Sequence, residues 1–272
     1  MVFPVVSNTS MLVLLSTGML ESIWKIFCER IWAMGTTDTA TATAETEQPE
    51  KQQEQAYETL RDGIVEFTYL PGQRLSAKEI RKQMGLGRTP VREAIVRLQQ
   101  DGLVTTKPKS GSYVSLINLK NAECAHFLRI TVERAVAIDA AAQITDSELE
   151  EMAGSIQAQE QSLIAHDQRN FLEADNAMHQ AVFAAAGRLT EWDWLTRTSV
   201  DLNRFRWLHV KARSVGWTSI LKEHQDYYQA LRAHQPLNAA YIIEHHLHVM
   251  LDEKEEVLKV FPQYFALEES QA

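Results

Sequence analysis

The chain has 272 residues and a composition close to that of globular proteins, with 45% apolar and 23% charged residues. These fractions exclude disordered, collagen-like and disulfide-rich classes for the chain as a whole. The two cysteines, Cys28 and Cys124, are far apart and have no CxxC spacing, so the sequence supports neither a disulfide framework nor a thiolate zinc site. A reducing, cytoplasmic location is therefore expected.

The net charge of −9 is unevenly distributed along the chain. Residues 57–116 carry ten basic and six acidic side chains, whereas the segments on either side are acidic. An acidic protein repels phosphate backbones on average, but a basic segment can still bind them locally. The overall charge therefore does not exclude a nucleic-acid partner.

The N-terminal segment is predicted to be an extension that precedes the folded part. Polar residues on both sides of the apolar run at 11–15 keep it short, and the first lysine is Lys25, so neither a transmembrane helix nor a signal peptide is expected. Met34 opens a low-complexity stretch rich in Thr and Ala. We predict that residues 1–50 are poorly ordered or wrongly assigned to the protein, with Met34 as the true start. A membrane tether or a partner helix is the alternative.

Three helices are predicted in the basic segment. Apolar residues at helical spacing predict the first over residues 52–69. Ser76 and Glu79 have the spacing of a capping box, which predicts the start of a second helix. Thr89 and Pro90 offer an N-cap and a first-turn proline for a third.

A β-hairpin is predicted directly after these helices. Residues 103–106 and 112–115 are β-prone, and residues 107–111 form a basic, flexible tip between them. Three helices followed by a hairpin are typical of a winged helix-turn-helix. We assign this domain to residues 51–117.

The remaining chain, residues 118–265, is predicted to be helical almost throughout. Short connections between consecutive helices indicate an antiparallel bundle, whose interior can hold a ligand. The predicted helices cover residues 125–143, 146–166, 170–186, 190–211, 219–234 and 236–259. The predicted fold is therefore mostly α, with an N-terminal winged helix-turn-helix followed by an all-α antiparallel helical bundle.

A candidate DNA-binding surface lies at the start of the third helix. Arg88 is placed at its entrance and Arg92 one turn further, where recognition helices read bases in the major groove. Arginine can bind guanine there in bidentate fashion. Contacts to the DNA backbone, which position without specifying sequence, are expected from Lys78, Thr89, Lys107, Lys109, Ser110 and Gly111.

Three motifs in this domain closely resemble the winged-helix domain of GntR-family bacterial transcription regulators. They are LPGQRL at residues 70–75, RTPVREA at residues 88–94 and LQQDGL at residues 98–103. The resemblance implies that Arg88 and Arg92 read the operator and that Thr89 and Gly111 contact DNA nearby. Gly87 departs from the Ser or Thr usual in the family, which removes a phosphate-contacting hydroxyl.

A candidate metal site lies in the bundle. Asp175 and His179 are four residues apart, so they share one helix face. His224 and His246 lie on two later helices and can complete a set of one carboxylate and three imidazoles. Such a set suits zinc, nickel or manganese. His245 and His248 compete with His246 for this assignment.

The family resemblance extends over residues 119–260 and identifies the FCD branch of the GntR family. It implies that Asp175, His179, His224 and His246 bind a metal that in turn binds a carboxylate effector. It also implies that Arg129 pairs with the acid, a role that suits the fork geometry of a guanidinium.

These features predict a DNA-binding transcription regulator, namely a ligand-responsive repressor, and not an enzyme. A homodimer bound to a palindromic operator is expected, since such operators mirror protein symmetry. The bundle is expected to bind a divalent metal and a small organic-acid effector, and no membrane is expected as a partner. One alternative is direct metal sensing. A less favoured alternative is a metal-dependent hydrolase, for which the sequence contains no nucleophile motif.

Overall fold

The computed structural model describes residues 39–212, 216–252 and 254–266. Within these residues the chain forms eleven α-helices, a three-stranded sheet and a short 3₁₀ helix, which confirms the mostly α class. No helix among them is long and apolar enough to cross a membrane. The first 38 residues of the predicted extension lie outside the described residues.

The first half of the described fold contains three helices and three short strands. They are α1 (Thr39–Val65), β1 (Arg74–Leu75), α2 (Ala77–Met84), α3 (Arg88–Gln100), β2 (Val104–Lys107) and β3 (Gly111–Val114). The strands form an antiparallel sheet in the order β1-β3-β2, with Leu75 opposite Ser112 and Val104 opposite Val114. This is the predicted winged helix-turn-helix with one additional strand, β1.

Helix α1 differs from its prediction at both ends. It begins at Thr39 rather than at residue 52, because Ala, Glu and Gln in this stretch favour a helix despite the many threonines. It ends at Val65 rather than at residue 69, and Phe67 then takes a positive φ of 62°. The domain boundary at residue 51 remains a prediction.

The caps of α2 and α3 follow different rules. Ser76 accepts a hydrogen bond from the Glu79 amide at 3.3 Å, and Gly85 ends α2 in the left-handed conformation. The prediction that Thr89 caps α3 was wrong: α3 begins at Arg88 and Gly87 is its N-cap. Glycine is tolerated at this position without a side-chain bond, and Pro90 still lies in the first turn.

Helix α3 is held against α1 by polar contacts and by a shared apolar core. The Tyr57 hydroxyl donates to Asp101 at 2.7 Å, and the guanidinium of Arg97 lies 3.6 Å from the centre of the Tyr57 ring. The core residues of the three helices include Leu60, Ile64, Ile80, Val91, Ile95 and Leu98. These contacts fix the direction in which the exposed face of α3 points.

The second half of the described fold is the predicted helical bundle. Its elements are α4 (Leu119–Gln143), α5 (Asp146–Ala165), α6 (Gln168–Ala185), α7 (Leu189–Thr198), α8 (Val200–Ala212), α9 (Trp217–Arg232), α10 (Pro236–Asp252) and α11 (Lys254–Val260), followed by a 3₁₀ helix (Pro262–Tyr264). Helix α4 packs along α10, and α5 packs along α6. Their apolar faces form the core that surrounds the candidate site.

The helix predicted over residues 190–211 is in fact two helices, which meet at Ser199. The hydroxyls of Thr196 and Thr198 donate to carbonyls one turn earlier, and Ser199 donates to the Leu195 carbonyl at 2.5 Å. Hydroxyl side chains that bond to the backbone compete with the backbone hydrogen bonds of an α-helix. Three of them in four residues explain the break.

Helix α8 connects the bundle to the winged helix. Arg204 on α8 is completely buried, and its Nη2 donates to the Ser115 carbonyl at 2.7 Å just after β3. Val200, at the start of α8, packs on the apolar core of the winged helix. A parallel bridge between Ile117 and Phe265 adds a second connection.

Candidate functional site

The two arginines singled out in α3 lie on its exposed side. Arg88 and Arg92 are both exposed, whereas Val91, Ile95 and Leu98 of the same helix are buried. The helix therefore presents two guanidinium groups to solvent at its N-terminal end. This is the end with which a recognition helix contacts base edges.

The predicted backbone contacts flank these arginines on α2, α3 and the hairpin. Lys78, Thr89 and Ser110 are exposed. Gly111 has a φ of +122°, and a Cβ there would lie 3.1 Å from Nε of Arg74, so both conformation and space favour glycine. A glycine at this position lets the tip of the hairpin turn tightly.

Four side chains from three bundle helices converge at the centre of the bundle. Asp175 and His179 come from α6, His224 from α9 and His246 from α10, and one ligand atom of each lies within 4.8 Å of the others. The Nε2 atoms of His224 and His246 are 3.2 Å apart. Oδ1 of Asp175 lies 3.6 Å from Nε2 of His224. We call these four residues the metal cluster.

Each histidine of the metal cluster is oriented through its other ring nitrogen. Nδ1 of His179 donates to Glu133 at 2.6 Å. In the same way Nδ1 of His224 donates to Gln159 at 2.6 Å, and that of His246 donates to Glu223 at 2.8 Å. In a neutral ring the second nitrogen then carries a lone pair. Three Nε2 lone pairs therefore face one point.

Burial and charge set the protonation states of these groups. Burial lowers the pKa of His179 and of His224, which keeps both rings neutral near pH 7. Burial alone would raise the pKa of Asp175, but Arg206 together with His179, His224 and Arg129 outweighs it and holds that pKa well below its usual range. Similarly, Arg129 and His179 overcome the burial of Glu133 and lower its pKa to about 2.

This arrangement fits a divalent metal ion. Nε2 of His179 is buried and has no hydrogen-bond partner among the described residues, which is costly unless a cation accepts its lone pair. Two imidazole nitrogens bound to one ion at about 2.0–2.1 Å lie roughly 3.0–3.4 Å apart, depending on the coordination angle. The His224–His246 distance of 3.2 Å falls in that range. A set of one carboxylate and three imidazoles suits zinc, nickel or manganese.

The two competing histidines point elsewhere. His245 is exposed and its ring stacks on Tyr241 with centroids 6.4 Å apart. His248 is also exposed and packs edge-to-face on His126. Of the three candidates on α10, the structure brings only His246 into the metal cluster.

Arg129 lies beside the metal cluster, where it is 4% exposed. Its Nε donates to Glu133 at 2.5 Å, and its Nη2 has no hydrogen-bond partner among the described residues. Together with Asp175 and His246 it lines a cavity of about 50 Å³. A guanidinium group therefore faces the space next to the candidate metal ligands.

Arg206 and Glu133 support this site, although neither role was predicted from the sequence. Nη2 of Arg206 donates to Asp175, and its Nη1 donates to Asn176 at 2.8 Å. Glu133 joins Arg129 to His179. The position of Glu133 one helical turn after Arg129 is a sequence signal for the contact between these two residues. His179, the second partner of Glu133, is distant from it in sequence. Asp175, the partner of Arg206, is also distant from it in sequence.

Two family descriptions match consecutive parts of the chain. Residues 52–114 match the family described as bacterial regulatory proteins, gntR family. Residues 125–249 match the FCD domain. The two matches coincide with the winged helix and with the helices that carry the metal cluster.

Similar proteins lead to the same family. The HTH-type transcriptional repressor RspR of Escherichia coli K12 is 31% identical over 182 residues, which cover 66% of this chain and 78% of that protein. An HTH-type transcriptional regulator in an unstable DNA locus of Streptomyces ambofaciens is 28% identical over 210 residues, covering 77% and 88%. These relatives are described as regulators of transcription.

Solved structures share the fold. The structure of E. coli McbR/YncC superimposes with a TM-score of 0.66 at 16% identity, and covers 77% of this chain and 98% of its own. A putative transcriptional regulator GntR from Rhodococcus sp. RHA1 gives 0.62 at 24% identity with the same coverage. The chain therefore belongs to the GntR family of bacterial regulatory proteins, in its FCD branch, and is a DNA-binding transcription regulator rather than an enzyme.

Proposed function

We propose that this regulator is a ligand-responsive repressor whose bundle senses a small carboxylic acid through a bound divalent metal. The metal ligands are Asp175, His179, His224 and His246, and Arg129 binds the carboxylate of the effector. The repressor named among the relatives supports the direction of regulation. The observation that carries the proposal is the convergence of one carboxylate and three imidazoles, with each ring held by a hydrogen bond at its Nδ1 atom.

On the DNA side, the proposal assigns base readout to Arg88 and Arg92. Lys78, Thr89, Ser110 and Gly111 contact the sugar-phosphate backbone beside them. Support comes from the exposure of both arginines at the N-terminal end of α3 and from the fixed packing of that helix on α1. Arginine binds the guanine edge in bidentate fashion, which gives sequence preference.

On the effector side, the chain places the buried guanidinium group of Arg129 beside the proposed metal ligands, where it can bind an acid. When bound, the metal supplies open positions for an oxygen ligand. Arg129 offers an unpartnered Nη2, and Glu133 fixes the direction of that guanidinium. For such a ligand to change DNA binding, it must bind the two DNA-binding states with different affinity.

The regulator is proposed to act as a homodimer in the cytoplasm, where its DNA partner is found. A palindromic operator requires two winged helices related by symmetry. Phe127 on α4 and Tyr241 on α10 are each 68% exposed, and these two helices pack side by side. Exposed aromatic side chains on these two helices support a subunit contact through them.

The metal content of purified protein tests the ligand set. We expect about one equivalent of a divalent metal in the wild type, a loss in His224→Ala and no loss in the control His245→Ala. The control alters a neighbouring, exposed histidine that lies outside the metal cluster. Equal metal content in all three proteins would show that the ligand set is wrong.

Thermal melting against small carboxylic acids tests the effector. A ligand that binds the native state raises the melting midpoint, so we expect one class of acid to raise it and chelator treatment to remove the effect. Direct metal sensing is the second candidate, because the cavity beside the metal cluster has a volume of about 50 Å³, which leaves little room for an acid. A shift with metal alone and with none of the acids would favour that candidate.

A further inference from the structure

Arg74 is an arginine of the winged helix to which the proposed function gives no role. It lies in the LPGQRL motif and is the first residue of β1. Its side chain is exposed and forms no hydrogen bond or ion pair with any other residue that the structure describes. A guanidinium group has five N–H donors, so all the side-chain donors of Arg74 are available to a partner.

The register of the strands places Arg74 on the outer face of the sheet. Arg74 is opposite Tyr113, and Leu75 is opposite Ser112. Leu75 is buried in the apolar core of the winged helix, and successive side chains of a strand point to opposite faces, so Arg74 points away from that core. Lys107 shares the outer face, with Nζ 5.1 Å from the centre of the Tyr113 ring.

The guanidinium group of Arg74 lies beside the backbone of Gly111. A Cβ at Gly111 would be 3.1 Å from Nε, 3.5 Å from Nη2 and 3.7 Å from Cζ of Arg74. The missing side chain therefore leaves the space that the guanidinium occupies. Gly111 is the first residue of β3 and directly follows the tip of the hairpin. A side chain that begins on β1 thus reaches the hairpin tip.

The hairpin tip is basic and includes a residue in a rarely adopted backbone conformation. Lys107 and Lys109 are exposed, and residues 102–117 contain no Asp or Glu. Lys109 has a φ of 61°, in the left-handed region that favours glycine or asparagine. An exposed lysine gains little from packing, so its presence at such a position points to a role in binding.

We propose that Arg74 enters the minor groove of the operator and makes binding sensitive to the sequence that flanks the bases read by α3. The hairpin lies beside α3, since Gln99 of α3 donates to Thr106 of β2. One sugar-phosphate strand separates the major groove from the minor groove. With α3 in the major groove, the tip of the hairpin therefore faces the neighbouring minor groove.

Arginine suits this position better than lysine does. Runs of A·T pairs narrow the minor groove and increase its negative potential, which attracts arginine side chains. The planar guanidinium is also less strongly hydrated than an ammonium group, so it loses water more readily on entering a narrow groove. Arg74 therefore adds a second source of sequence preference to Arg88 and Arg92, and this source requires neither the metal nor the effector.

Operator duplexes that differ only in their flanks test the proposal. The wild-type protein first selects an operator from random duplexes, and blocks of about four A·T or G·C pairs then replace the flanks on both sides of it. We expect the wild type to bind the A·T-flanked duplex about fivefold more tightly, and Arg74→Lys to bind both duplexes within about twofold of each other. Fluorescence anisotropy at one fixed salt concentration measures the affinities.

Arg232→Lys is the matched control, because Arg232 is exposed on α9 of the bundle and lies outside the winged helix. It should keep the flank preference of the wild type, and melting curves establish that both variants fold. Equal binding of the two duplexes by the wild type, or an unchanged preference in Arg74→Lys, would overturn the proposal.

Arg74→Ala separates the minor groove from a phosphate contact. It should weaken binding to the A·T-flanked duplex more than binding to the G·C-flanked one. Equal losses on both duplexes would assign Arg74 to the sugar-phosphate backbone and would also overturn the proposal. Base readout by Arg92 is tested on the central sequence, which all these duplexes share, so either assignment can fail without the other.

Discussion

The same amino acid behaves differently at adjacent positions of α10, which shows how the environment of a residue decides its role. His246 donates through Nδ1 to Glu223 and directs Nε2 to the metal cluster, whereas His245 lies exposed against Tyr241. The backbone rotates by about 100° per residue in a helix, so one step moves a side chain from the core to solvent. The packing of α10 against α4 and α9 determines which of the two faces inward.

Arg92 is the residue at which base readout is most directly testable. Arg92→Ala should weaken binding to an operator selected from random duplexes by about 1–3 kcal/mol, because one bidentate base contact is lost. The melting curve should remain nearly unchanged, since the side chain is exposed. Fluorescence anisotropy with operator and scrambled duplexes measures the difference, with the exposed Arg232→Ala as control. Equal losses on both duplexes would reassign Arg92 to the DNA backbone.

Glu133 is the residue that joins the metal cluster to the effector arginine. Its two oxygens accept from His179 and Arg129, and an amide can accept through only one of its two terminal atoms. Glu133→Gln should therefore lower metal affinity roughly 10–100-fold, as is usual when the group behind a metal ligand is altered. Competition with a fluorescent chelator measures the affinity.

A matched variant separates this effect from a general loss of negative charge. Glu223 supports His246 and not Arg129 among the described residues, and it is less buried than Glu133. Glu223→Gln should therefore reduce metal affinity less than Glu133→Gln. The reverse order would contradict the bridging role of Glu133.

The elements were predictable wherever local signals decide them. Ser76 caps the start of α2 as expected, because a cap depends on neighbours within one turn. Strand β1 was missed, since two residues carry no periodicity and pair only with the distant β3. The break at Ser199 had a local signal in its hydroxyl residues, but apolar spacing across residues 190–211 outweighed it.

Helix α8 is the element whose contacts reach both halves of the fold. Arg204→Met should lower the free energy of unfolding by about 1–3 kcal/mol, because the Ser115 carbonyl loses its donor and Asp201 loses a partner at 3.5 Å. Urea denaturation measures the loss. The exposed Lys211→Met on the same helix is the control, and equal stability of the two variants would show that Arg204 does not connect the domains.

At the scale of the molecule, the metal cluster shows why the spacing of residues in the sequence could not identify all four ligands. Asp175 and His179 share a helix face, which the sequence predicts, but His224 and His246 reach the same point through the packing of α9 and α10. The family resemblance selected these residues because such packing is shared by the fold. Arg206 had no comparable signal, since neither its spacing nor the resemblance pointed to Asp175.

The stability of the whole molecule should depend on pH through the buried histidines. Burial lowers the pKa of His179 and of His224, so below about pH 6.5 the unfolded chain takes up protons that the native state does not bind. The free energy of unfolding of chelator-treated protein should therefore be constant above pH 7.5. It should fall below pH 6.5 by up to about 1.4 kcal/mol per pH unit for each group. Urea titrations at pH 7.5, 6.5 and 5.5 measure this slope.

Replacing one histidine tests whether this pH dependence of the free energy of unfolding arises from the metal cluster or from histidines elsewhere. His224→Gln removes one buried titrating ring and should reduce the slope between pH 6.5 and 5.5 by up to half, whereas the exposed His245→Gln should leave it unchanged. The sign follows from proton uptake by the unfolded state, which opposes folding as pH falls. A stability that rises on acidification would mean that these rings gain protons in the native state. The lone pairs directed at the metal would then not exist at neutral pH.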